Sequence, residues 1–200
     1  PGSSIFCHIQ PALNSAIAGD TIQVADGIYP EALSIGKDVA IVGAGAAATV
    51  VEGGVEIASA AANVQIRGIT IRGAAFSGVA NRGTLTLAAA VITGNGRSSL
   101  AGSTAGGGIL NFAGARLDLL DSVVSDNVAS GGGGIDNVGT MTIARSIISG
   151  NSARAPVGNG AGILNSGSLT IAQSTISNNT ALAQGGAIWT IGPLSVQTST

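Results

Sequence analysis

One nine-residue frame recurs through the second half of the chain and limits the fold more than any other feature. Val79-Ala80-Asn81-Arg82-Gly83-Thr84-Leu85-Thr86-Leu87, Ile135-Asp136-Asn137-Val138-Gly139-Thr140-Met141-Thr142-Ile143 and Ile163-Leu164-Asn165-Ser166-Gly167-Ser168-Leu169-Thr170-Ile171 align without gaps. Residues 109–119 read as a further copy with one extra residue near Gly114, and residues 188–196 as another in which Thr190 replaces the Asn. Each copy up to Ile171 is followed by a second frame: Ala90-Val91-Ile92-Thr93-Gly94-Asn95, Ser122-Val123-Val124-Ser125-Asp126-Asn127, Ser146-Ile147-Ile148-Ser149-Gly150-Asn151 and Ser174-Thr175-Ile176-Ser177-Asn178-Asn179. The central apolar position falls at Leu85, Leu117, Met141, Leu169 and Leu194, at intervals of 32, 24, 28 and 25 residues. The period is about 25 residues with insertions, which is the signature of a repeat architecture.

Within a period, apolar and small polar residues alternate over runs of three to five, each closed by Gly, Asn or Ser. Period-2 alternation means strands and the closing residues mean turns. No window between residues 78 and 200 carries a helical apolar face free of Gly, so helices are excluded there. Three strands per 25 residues with no hairpin return predict a single-stranded, right-handed parallel β-helix, an all-β solenoid whose coils stack about 4.8 Å apart. Equivalent side chains then form ladders. Asn81, Asn111, Asn137 and Asn165 fall on one corner and Asn95, Asn127, Asn151 and Asn179 on another, where Asn tolerates left-handed backbone and bonds to the coils above and below. Gly83, Gly139, Gly167 and Gly192 are expected to supply positive φ. Met141 should pack between Leu117 and Leu169.

A stacked solenoid also accounts for the composition. Only 9% of the residues are charged, against about 25% in an average soluble domain. A mean hydropathy of +0.48 excludes a disordered chain. Seven Arg, one Lys and ten acids are scattered singly to a net charge of -2. No basic stripe exists to neutralise phosphates, which excludes nucleic acid as a partner. Apolar stretches such as residues 39–51 are broken by Gly and fall short of the roughly 20 residues a membrane-spanning helix needs. The single Cys7 reads as a small buried hydrophobe. Pro1 without a Met and an end in mid-pattern at Thr200 read as a piece of a longer chain.

The first third has another grammar. Ile9, Leu13, Ala16 and Ile17 share a helical face before Gly19, so residues 1–20 form an N-terminal cap with a short helix covering the open end of the core. Alternating runs at residues 21–24, 32–35, 39–42, 55–57, 64–66 and 69–71 place the first coils in residues 21–77 and the regular repeats in residues 78–200, about eight coils in all. Ile9-Gln10-Pro11-Ala12-Leu13-Asn14-Ser15-Ala16, Gly19-Asp20-Thr21-Ile22-Gln23-Val24-Ala25-Asp26-Gly27-Ile28-Tyr29-Pro30-Glu31 and the run from Leu33 to Gly43 resemble the opening of the pectin-lyase-like right-handed β-helix superfamily, pectin methylesterases included. Gly106-Gly107-Gly108-Ile109 and Gly185-Gly186-Ala187-Ile188, with the Ser-x-Ile-Ser-x-Asn frame, resemble repeats of bacterial surface β-helices such as the polymorphic outer membrane proteins.

The resemblance implies paired Asp with Gln and Arg for an esterase, after motifs such as Gln-Asp-Thr-Leu and Asp-Phe-Ile-Phe-Gly, and neither motif occurs. A lyase would need a carboxylate cluster for Ca²⁺ and a base, and a polygalacturonase paired Asp and a His. Asp118, Asp121, Asp126 and Asp136 are the acids of the repeat region, with Asp121 or Asp126 as a start for a Ca²⁺ site and solvated turns as the plainer reading. His8 reads as a surface or helix-start residue. No catalytic set, cofactor fingerprint or metal spacing assembles. The reading is a non-catalytic structural, adhesive or scaffolding β-helix, extracellular or on a bacterial cell surface by resemblance, with neighbouring subunits or surface glycans as partners. The alternatives are a polysaccharide-binding or polysaccharide-modifying (lyase- or esterase-related) domain whose active residues lie outside this stretch and, from Thr84-x-Thr86 and Thr140-x-Thr142, an ice-binding face. Length changes gather in residues 96–107, 128–133, 152–161 and 180–185, so insertions stack at one corner. Arg97, Ser98, Ser99, Ser103, Arg154 and Asn159 are its candidate binding residues, polar mobile groups on a rigid scaffold.

Overall fold

The computed structural model describes residues 5–60, 62–96, 106–154 and 158–200. Three parallel sheets wrap one core, and each coil contributes one strand to each sheet. Sheet A has eight strands, from Asp20–Val24 to Leu194–Gln197. Sheet B has seven, from Gly27–Tyr29 to Thr175–Ser177, and sheet C seven, from Leu33–Ile35 to Ile188–Thr190. The protein is therefore an all-β parallel β-helix. Its complete coils are slightly fewer than the eight expected, because only sheet A reaches eight strands.

Alternation puts one face of every strand into the core. The interior column Leu85, Leu117, Met141, Leu169 is in register through successive coils, with Met141 between the two leucines as expected. Beside it runs Ile66, Leu87, Leu119, Ile143, Ile171. All of these side chains are buried, and each contributes about 1.5–3 kcal/mol by leaving water.

The eight asparagines form two continuous chains of amides. Asn81 Nδ2 donates to Asn111 Oδ1 at 2.9 Å, Asn111 to Asn137 and Asn137 to Asn165 at 2.7 Å, and Asn165 to Thr190 Oγ1 at 2.9 Å. At the other corner Asn95, Asn127 and Asn151 each donate both the backbone N–H and Nδ2 to the Oδ1 one coil on, all at 3.0 Å, ending at Asn179. A serine ladder accompanies them. Ser122, Ser146, Ser174 and Ser199 each accept the backbone N–H of the preceding coil at 3.1 Å and donate the hydroxyl to the carbonyl two residues back.

Several local expectations need correction. The ladder asparagines are not left-handed; the residues before the second set are, namely Gly94, Asp126, Gly150 and Asn178 with φ of 66, 57, 67 and 55°. Gly83, Gly139, Gly167 and Gly192 lack positive φ as well. They are glycines because backbones approach there: a Cβ at Gly167 or Gly192 would collide with the carbonyl of Gly139 or Gly167 below it. The copy at residues 109–119 carries two extra residues, since Val79 and Leu85 pair with Ile109 and Leu117. Sequence alternation also missed the short strands Gly27–Tyr29 and Thr49–Glu52 of sheet B.

The helix α1 spans Ile9–Ser15 and buries Ile9 and Leu13. Ala16 is already extended, with ψ of 147°, so Ile17 leaves the helical face and is 72% exposed rather than covering the core. Cys7 is exposed, not buried, because it lies in the lead-in to α1 outside any coil. His8, at the N-cap, makes no side-chain cap bond, and Glu31 does the capping instead.

Candidate functional site

The insertion corner borders sheet C. Part of it is ordered β-structure: Val128–Ala129, Ser152–Ala153 and Thr180–Ala181 form a fourth, three-stranded parallel sheet, with Ala129 and Ala153 buried. Here the chain gains ladder bonds by continuing the stack. Beyond these strands glycine-rich arms lie one above another: Gly107 N–H donates to Gly132 O at 3.1 Å, Gly132 N–H to Asn159 O at 3.1 Å, and Gly160 N–H to Gln184 O at 2.9 Å.

Of the candidate binding residues, Arg97, Ser98, Ser99 and Ser103 lie outside the described residues. Arg154 is exposed, its Nε donating to Ser152 Oγ at 3.3 Å. Asn159 is half-buried, and its Oδ1 accepts the Gln184 N–H at 3.1 Å, so this amide holds neighbouring arms together. Gln184 also accepts the Trp189 indole N–H at 3.0 Å. Nothing in the repeat pattern singles out Trp189, although it is the single Trp of the chain. The structure thus groups Asn159, Gln184 and Trp189 at the last described arms.

Three of the acids join coils through ion pairs. Glu52 pairs with Arg72 at 2.7 Å, Glu56 with Arg82 at 3.3 Å, and Asp121 with Arg145 at 2.7 Å, each between successive coils. Arg82 also stacks 3.7 Å over the Phe112 ring, which the two extra residues bring to the surface. The Arg145 guanidinium holds the Asp121 carboxyl below its ordinary range. A cation at Asp121 would have to displace it, and no group of three or more ligating side chains occurs among the described residues. Asp118 pairs with Arg116 at 3.0 Å inside one strand. That pair interrupts the outer column Thr86, Asp118, Thr142, Thr170 and breaks the hydroxyl grid an ice-binding face needs.

Asp136 differs from these. Strand alternation turns it outward between Leu110 and Leu164, yet it is 6% exposed, and burial pushes its carboxyl up to about 6.

Comparison with solved structures gives the architecture a context. A point mutant of pectin methylesterase in complex with a hexasaccharide superposes with a TM-score of 0.62 at 16% sequence identity, covering 86% of this chain and 62% of that one. Pectin methylesterase PemA from Erwinia chrysanthemi gives 0.60, also at 16% identity, over 86% of this chain and 61% of that one. The fold is that of the pectin methylesterases. At this identity the likeness concerns the fold alone, and the chain spans less than two thirds of those proteins. Residues 173–191, which hold Ser174 to Asn179 and Gly185-Gly186-Ala187-Ile188, match the Chlamydia polymorphic membrane protein repeat. No curated protein matches the sequence. No helix among the described residues is long and apolar enough to cross a membrane.

Proposed function

We propose that this chain is part of a secreted or surface-displayed bacterial β-helix that acts as a rigid attachment scaffold and carries out no catalysis itself. The observation that carries the reading is where the polar side chains go. The asparagine and serine ladders and the inter-coil Arg–carboxylate pairs are spent on stacking coils, while the insertions collect at one corner beside sheet C, an arrangement suited to recognition on a rigid support. The Chlamydia polymorphic membrane protein repeat at residues 173–191 supports display at a cell surface. Arg97, Ser98, Ser99, Ser103 and Arg154 are the proposed contact residues, with subunits or surface glycans as partners. The test replaces residues 97–105 by a short Gly-Ser turn and Arg154 by Ser. Attachment to cells or glycan-coated beads should fall while the melting temperature holds. Unchanged attachment moves the contact to the flat sheets and overturns the assignment.

The likeness to pectin methylesterases favours one second reading, a polysaccharide-binding or polysaccharide-modifying domain. Methanol release from methyl-esterified pectin by the purified chain would establish it over the first.

A further inference from the structure

On the outer face of sheet C one column runs through successive coils as Ala80, Leu110, Asp136, Leu164 and Trp189. The acid in this apolar column is withdrawn from water. Leu110 and Leu164 flank it in register, and the glycine arm at residues 131–134 crosses it so closely that a Cβ on Gly132 would meet Asp136 Cβ at 2.9 Å. No described residue gives the carboxylate a hydrogen bond or an opposite charge. Among the described residues no fully buried polar side-chain atom lacks a partner, so the Asp136 oxygens, which have none, still touch solvent. The carboxylate is nine-tenths buried and has no protein donor, so the solvent at its edge is all that offsets its desolvation. Glu52, Glu56 and Asp121, by contrast, each meet an arginine of the next coil.

We propose that this face of sheet C receives the ε-ammonium of a lysine side chain on a partner protein, with Asp136 as its counter-ion. The head group would make a charge-assisted hydrogen bond to the carboxylate. The methylene stem would lie along Leu110 and Leu164, as long cationic side chains do on apolar surface. A guanidinium also pairs with a carboxylate, through two parallel hydrogen bonds, and tighter binding of methylguanidinium than of n-butylammonium would make the partner residue an arginine and overturn the assignment. A sugar fits less well, its hydroxyls facing aliphatic walls. A second copy of this chain is not the source: its single lysine, Lys37, is engaged with the carbonyls of Ala16 at 2.7 Å and Asn14 at 3.4 Å. The upward shift of the Asp136 carboxyl is what an unpaired site of this kind produces. The inference rests on the attachment reading and names the chemistry of one contact at that corner.

The test titrates the full chain with n-butylammonium, a lysine side-chain analogue, and follows the Leu110 and Leu164 methyl resonances together with the Asp136 carboxyl. Saturable methyl shifts are expected, with the Asp136 midpoint moving down because a bound cation favours the ionised form. Asp136→Asn should weaken binding about tenfold or more, the size of a lost hydrogen bond to a charged group. Absence of saturable shifts, or equal shifts in Asp136→Asn, overturns the proposal. So does tighter binding of neutral methyl glucoside, which would make the ligand a sugar, or an equal response to sodium, which would make it any cation. Should Asp136→Asn lose the fold, the midpoint movement in the unsubstituted protein decides alone. If butylammonium is silent while the corner replacements still reduce attachment, the attachment reading stands and only this contact falls.

Discussion

The Glu31 carboxylate accepts the Gln10 amide at 2.9 Å from 21 residues further along the chain, and its other oxygen accepts the Ile9 amide at 2.8 Å. Two of the open donors at the start of α1 are thereby closed by the first coil rather than by a local cap. Gln10 returns the link: its side-chain amide accepts the Ser34 N–H at 2.8 Å and donates to the Ser34 carbonyl at 3.2 Å, in the manner of a neighbouring strand. Glu31→Ala should therefore cost about 1–2 kcal/mol, read as a lower melting temperature. Glu31→Gln should recover part of the loss, since one oxygen remains to accept. Equal stability of all three proteins would show that the cap contributes nothing.

The asparagine chains predict a cost that depends on position. Asn137→Ala removes the acceptor of Asn111 and the donor to Asn165 in the middle of a buried ladder. It should destabilise by about 2–3 kcal/mol by denaturant unfolding. Thr190→Ala, at the exposed end of the same ladder, should cost less. The reverse order would mean that the ladder amides are not the groups that matter. Leu169→Asp, which puts an unpaired charge under Met141, should abolish cooperative folding.

The coil pattern was legible because stacking makes the same demand once per coil, so Leu85, Leu117, Met141 and Leu169 announce one another. Features that depend on what lies above or below a residue were not. Gly167 is required by a carbonyl of the coil beneath it, and a glycine looks the same in sequence whether it serves positive φ or close approach. Ser122, Ser146 and Ser174 open the second frame in the sequence, but the first rung of their ladder is Ala90, whose side chain accepts nothing and whose N–H donates to Ser122 Oγ. The parity of Asp136 reads as exposed. Its burial comes from an arm whose path the alternation does not encode.

Arg145 and Asp121 are both about half exposed, each with a side-chain exposure of 52%. Arg145→Gln should let the Asp121 carboxyl rise back toward its ordinary range, because the guanidinium hydrogen bonds and charge that lower it are gone. Stability should barely change, as is usual for surface ion pairs. Carboxyl-detected NMR titration of the two proteins reads the first effect and thermal unfolding the second. A midpoint for Asp121 that does not move would show that the pair is open in solution.

Asp136 predicts a pH dependence of opposite sign to the usual carboxylate. Its ordinary value of 3.8 is raised to about 6 in the folded chain by burial. Leu110, Leu164 and the glycine arm at residues 131–134 are the described groups packed against it, and none of them titrates. Between about pH 4 and 6 the folded state therefore holds more protons than the unfolded state, so stability falls as the pH rises through that window and stays lower above it. The drop is at most about 3 kcal/mol, from a shift of about two units at about 1.4 kcal/mol each. Asp136→Asn keeps the shape and removes the ionisation, so the difference between the two proteins isolates this group from all other titrations. The Asp136→Asn protein should be more stable than the unsubstituted one at pH 7, with the gap closing toward pH 4. Urea midpoints at pH 4, 5, 6 and 7 measure it, and a gap that stays constant across the series would mean that Asp136 reaches solvent freely and titrates as an ordinary surface acid.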